Sequence, residues 1–130
     1  MDSLKEIALL AFAVVLTVAV ELPIIRIGKV TKHNGIIIAI NVVTNLTFNV
    51  IYLLLYHMSF LYRDSFISRD GVILGWYVFA ELLLIPLSEA FVYGKISKAS
   101  GKRILVVTYL ANFASCLAGE LFQRVFDLII

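Results

Sequence analysis

Apolar residues fill four long stretches of the chain, roughly 4 to 25, 36 to 58, 72 to 93 and 104 to 126, and short polar stretches separate them. Within each stretch apolar residues go all the way round a helical wheel, so the pattern is not that of surface helices with one apolar stripe. Each stretch exceeds the eighteen or so residues that cross a hydrocarbon core about 30 Å thick at about 1.5 Å per residue. The pattern predicts four transmembrane helices over those ranges, in one all-α, polytopic membrane domain spanning 1–130. The connections, 26 to 35, 59 to 71 and 94 to 103, leave no room for a soluble domain.

Composition excludes the competing class. With 62% hydrophobic residues, 15% charged residues and a mean hydropathy of +0.99, the chain is too apolar for a soluble helical domain, which carries about a quarter charged residues. The leader "MDSLKE" sets Lys5 against two acids. It lacks the positive region that opens a signal peptide, so the first run is expected to be a retained helix.

Charge then sets the expected orientation. Of the 11 Lys and Arg residues, Arg26, Lys29, Lys32, Lys95, Lys98, Lys102 and Arg103 sit in the first and third connections, which therefore belong on the cytoplasmic side. Lys5, Arg63, Arg69 and Arg124 fall on the other side among Asp2, Glu6, Asp64, Asp70 and Asp127. The expectation is a multi-pass cell-membrane protein with both termini extracytoplasmic. Its net charge of +2 calls for no nucleic-acid partner, because the basic residues stand where topology wants them. Cys116 is the only cysteine, so neither an intramolecular disulfide nor a cysteine-cluster metal site is available. Tyr62, Trp76 and Tyr77 near the outer boundary and Tyr93 near the inner one read as interfacial anchors.

The spans pair naturally into two hairpins, each around a basic connection, and the hairpins share a pattern. Asn45 follows Glu21 by 24 positions and Asn112 follows Glu89 by 23. Two hairpins with the same orientation would form a parallel internal repeat about an axis along the membrane normal. The segments "ELPI", "NVVTN", "EAFVYGKISKASGKR" and "LANFASCLAG" together resemble patterns in small four-helix prokaryotic membrane proteins of unassigned function. The resemblance covers most of the chain and implies a fold and a prokaryotic source, but no activity.

Candidate chemistry lies in the polar residues inside the apolar runs. Glu21, Glu81, Glu89 and Glu120 all fall there, and a charge at a helix centre costs about 2.5–3.5 kcal/mol on insertion scales, so they need partners or protonation. Glu81 and Glu89, eight residues apart, fall close to one helix face beside Tyr77, Ile85 and Ser88. Asn41, Asn45 and Asn49 recur every four residues along the second span, flanked by Thr44 and continued by Tyr52 and Tyr56. Thr108, Asn112, Ser115 and Gln123 line one side of the fourth span, and Ala111, Ser115 and Gly119 form a small-xxx-small row that admits a neighbouring helix. Pro23 and Pro86 free backbone carbonyls near Glu21 and Glu89.

Two functions compete for these groups. In the first, Glu21, Glu81, Glu89, Asn45, Asn49 and Asn112 line a path for a cation or a proton-coupled small solute. In the second, they join helices inside an accessory or scaffold subunit, with Glu21 paired to Arg26 or Lys29 and Glu120 to Arg124. No GxSxG, HExxH or paired-Asp motif points to an enzyme, no cofactor is implied, and His33 and His57 stand on opposite sides of the membrane. "GVILG" at 71 to 75 fits a small-residue contact. Four helices enclose little volume, so a path of any width implies a homo-oligomer or a membrane-protein partner in the bilayer.

Overall fold

The computed structural model describes residues 2–58 and 68–129, and the described chain is helical between short connections. Helix α1 spans Asp2–Ile27 and α2 spans Asn34–His57. The third run holds α3, Arg69–Phe79, a π-helical turn, Ala80–Leu84, and α4, Ile85–Ile96; α5 spans Gly101–Ile129. Four stretches, Ser3–Ile27, Asn34–His57, Asp70–Ile96 and Gly101–Ile129, are long and apolar enough to cross a membrane. Their ends lie within three residues of the sequence-predicted ones. Tyr62, Arg63 and Asp64 lie outside the described residues.

Local chemistry explains the helix ends. Ser68 caps α3 by accepting from the Gly71 amide at 3.1 Å, and Ser100 caps α5 by accepting from the Arg103 amide at 3.3 Å. Helix α1 closes in a Schellman arrangement: the Val30 amide donates to the Ile25 carbonyl at 3.2 Å and the Lys29 amide to that of Arg26 at 3.0 Å. Lys29 takes the left-handed position, φ 56°, that glycine usually fills. The residue before it must be small for a different reason. A Cβ on Gly28 would stand 2.5 Å from Cγ1 of Val107, so this glycine lets the end of α1 come down onto α5.

The spans pack in a ring, with α1 against α2 and α5, and α4 against α2 and α5. Ala111 is fully buried, and Ser115 on the same row bonds to α1. Gly71 is exposed and a Cβ on Gly75 would meet nothing within 4 Å, so neither glycine of "GVILG" shows the close helix approach that a small-residue contact needs. The apolar core, Ile25, Val30, Ile37, Ala90, Tyr93, Ile104 and Ala111, gathers at the end that carries the connections 28–33 and 97–100. Those connections are bonded to each other: the Ser97 hydroxyl donates to the Val30 carbonyl and accepts from the Ala99 amide. The outer surface is apolar, with Phe91, Phe113 and Leu121 all more than half exposed, as suits helices in lipid.

The π-helical turn follows from Pro86. Proline offers no amide to the carbonyl four residues back and clashes with it, and widening the turn relieves the clash. The Ile85 amide accordingly reaches back five residues to the Ala80 carbonyl. Buried positions then run Ala80, Ile85, Glu89 and Tyr93, one step of five followed by two of four. This corrects the expected face: Ala80 occupies the inward position that regular spacing assigns to Glu81, Glu81 is half-buried, and Ser88 is exposed. Pro23, by contrast, sits in a continuous α1, exposed to the outside.

Candidate intramembrane site

Each span contributes an apolar residue near the loop end and a polar one about a turn deeper. The pairs are Ile25 with Glu21, Ile37 with Asn41, Tyr93 with Glu89, and Ile104 with Thr108, all buried and all spaced by four. Side chains four apart on a helix stand one above the other. The bundle therefore carries an apolar layer toward the loops and a polar layer beneath it, which Asn112 and Ser115 complete from α5.

Two carboxyls lie at the centre of the polar layer. Glu21 is 1% exposed and Glu89 is fully buried. They come from helices across the ring and lie close enough to interact. Asn112 donates its amide to Oε2 of Glu89 at 2.7 Å, and the Thr44 hydroxyl meets Oε1 at 3.1 Å. Ser115 donates to Oε1 of Glu21 at 2.7 Å, and the Asn41 side chain faces the same carboxyl. The partners of both acids are neutral; Arg26 and Lys29, the expected mates of Glu21, are exposed. Glu21 is therefore not an interfacial residue held by the basic connection: Ser115 draws it inward.

Several buried oxygens have no hydrogen-bond partner: Oε2 of Glu21, Oδ1 of Asn41 and Oγ1 of Thr108 in this layer, and the Tyr93 hydroxyl from the layer above. Such groups are costly in a dry interior unless something meets them. Among the described residues no three His, Cys, Asp or Glu side chains come together to hold a metal ion, and beside its two carboxyls the layer holds the neutral oxygens of Asn41, Thr44, Thr108, Asn112 and Ser115. A layer of this composition suits a proton or a hard monovalent cation better than a transition metal.

Comparison with protein-family models, curated proteins and solved structures gave no match. The reading of the site rests on its geometry.

Of the six sequence-predicted residues, Glu21, Glu89 and Asn112 meet in this layer. Asn45 and Asn49 are half-buried, and each turns its amide back to its own helix, donating at 2.8 Å to the carbonyls of Asn41 and Asn45. Asn41 makes the same bond to Ile37 at 2.9 Å, but is the member of the ladder that faces the centre. Glu81, in the π-helical turn, is half-buried and takes no part in the hydrogen bonds that hold the two central acids, but lies close enough to act on both. Glu120 and Gln123 are exposed. Tyr93 is not an interfacial anchor: it is fully buried, because the connection after α4 turns back over the bundle end. Asn41, Thr44, Thr108 and Ser115, polar positions noted in the sequence but outside the six, join the layer, and Tyr93 borders it; each stands three or four residues from another buried residue of its own helix.

Proposed function

We propose that this chain is a small transporter or channel-like membrane protein that moves a cation, or a small solute coupled to protons, through the layer formed by Glu21, Glu89, Asn41 and Asn112. The observation that carries the reading is a pair of buried carboxyls with only neutral partners, surrounded by oxygens that lack donors. Two acids side by side in a dry layer need a positive charge between them, and a proton or cation that enters and leaves supplies it. Basic residues in the two bonded connections support a cytoplasmic loop end and extracytoplasmic termini. On this reading the spans form two hairpins, and the parallel repeat equates Glu21 with Glu89. The path runs through a homo-oligomer, since one ring of four helices is narrow.

The test is flux of protons and alkali cations into vesicles carrying the purified chain. Glu21→Gln and Glu89→Gln keep the shape of the side chain, so the fold is retained while flux is lost. Equal flux for wild type, both variants and empty vesicles overturns the proposal.

One observation favours the competing role of accessory or scaffold subunit. Both oxygens of Glu89 and one of Glu21 already have partners, which is what a polar clamp between helices requires. That role predicts that Asn112→Ala lowers thermal stability or releases a co-purifying membrane protein, with no flux in any form.

A further inference from the structure

A groove of about 620 Å³ runs along the outside of the bundle between α2 and the α3–α4 span. Its walls are chiefly aromatic and aliphatic. Phe48 and Trp76 stack with ring centroids 6.2 Å apart and planes 13° from parallel, and Phe91 lines the same space. Three hydroxyls, those of Thr44, Thr47 and Ser88, interrupt this lining. The π-helical turn contributes Ala80, whose small side chain leaves the space open.

The groove is joined to the carboxyl layer through one residue. Thr44 lines the groove, and its hydroxyl is 3.1 Å from Oε1 of Glu89, so the buried acid stands one hydrogen bond behind the wall. In a low-dielectric surrounding a carboxylate so close is felt strongly across the wall. Aromatic faces attract cations as well, through the negative face of their π system. Apolar walls, aromatic faces and an acid behind a hydroxyl together complement one chemistry: a positive centre carrying apolar or aromatic groups. A neutral lipid tail would fill the walls equally well, but would make no use of the charge.

We propose that this groove is the binding site for a lipophilic organic cation, which enters from the bilayer and is held by the charge of Glu89 acting through Thr44. The inference rests on the reading of Glu89 as part of a cation-handling site, and it assigns that site a substrate class.

Trp76 is the only tryptophan of the chain, so its fluorescence reports the groove without labels. The full chain in neutral detergent is titrated with tetraphenylphosphonium and, separately, with tetraphenylborate, which has nearly the same shape and the opposite charge. The expected result is a saturable change in Trp76 emission with the phosphonium ion and binding at least about tenfold weaker with the borate. Glu89→Gln weakens phosphonium binding by about tenfold and strengthens that of the borate, so the two ions converge in affinity. Thr47→Phe, which fills the groove from its rim, removes phosphonium binding while proton or alkali-cation flux in vesicles persists.

Equal affinity for the two ions, or phosphonium binding unaltered by Glu89→Gln, overturns the inference and leaves an apolar slot for lipid. Absence of any saturable change overturns it too. None of these outcomes bears on flux of small cations, which separately decides whether Glu21 and Glu89 form a transport site.

Discussion

The two ends of the bundle are built differently. At the loop end, buried residues come from every span, and hydrogen bonds between side chains tie α1 to α5 and α4 to both α2 and α5. Toward the opposite end, α1 before Glu21, α2 after Asn41 and α5 after Ser115 have no buried residue among those described. Aromatic pairs hold that half instead, with Phe12 and Phe122 stacked 4.2 Å apart and Phe48 edge-on to Tyr77 at 5.8 Å. The difference teaches where function can be organised. Groups that must hold a charge in lipid need neighbours fixed in place, and the loop end has them.

The largest effect that tests this contrast comes from removing a carboxylate at each end. Glu89→Ala leaves one buried amide hydrogen of Asn112 without its acceptor, while the Thr44 hydroxyl keeps the Ile40 carbonyl at 2.9 Å; losing the partner of a buried group costs about 2–3 kcal/mol. Glu120→Ala removes an exposed side chain and changes stability by no more than about 0.5 kcal/mol. Thermal unfolding of the two variants in the same detergent measures both. Equal losses would mean that the ends are equally organised and the contrast is false.

A second pair makes the same substitution in two settings. Gly28→Ala drives a methyl group to 2.5 Å from Val107, and overpacking of this kind costs about 1–3 kcal/mol. Gly119→Ala, on α5 toward the open end, meets nothing within 4 Å. It should stabilise by up to about 1 kcal/mol, since alanine is the better helix former. Unfolding midpoints that move in opposite directions support the contrast. Restoration of Gly28→Ala by Val107→Ala would trace the loss to that one contact.

Much of this was readable from the chain, for identifiable reasons. The spans were legible because the length of an apolar run measures directly whether it crosses lipid. Glu21 and Glu89 stood out because a carboxyl in such a run needs a partner, and Asn112 because it sits at matching depth. Which asparagine of the ladder turns inward was not legible. Steps of four advance about 40° around a helix, so Asn41, Asn45 and Asn49 point in different directions, and only the neighbouring helices decide among them. The facing of Glu81 was not legible for a backbone reason: Pro86 widens the preceding turn, and every inward position before it moves by one residue. Tyr93 looked like an anchor because its burial comes from the fold of the connection beyond it, where Ser97 reaches Val30, a contact between residues 67 apart in the chain.

The smallest expected effect separates the two roles of the asparagine ladder. Asn49 and Asn41 make nearly the same local bond, donating to the carbonyl one turn back at 2.8 and 2.9 Å. One N–H of each amide is therefore occupied within α2, and what differs is the surroundings of the second N–H and of the side-chain oxygen. That of Asn41 is buried in the carboxyl layer, whereas Asn49 is only half-buried. Asn49→Ala removes a bond of the local kind and should cost no more than about 0.6 kcal/mol, the average for polar contacts between membrane helices. Asn41→Ala removes the same bond together with the rest of an amide that faces Glu21, so any excess over Asn49→Ala reports what Asn41 does in the layer. Side-by-side thermal unfolding, with flux measured on both variants, reads the excess. A ladder that serves only as helix glue gives equal small losses and unchanged flux in both, whereas a cation site singles out Asn41.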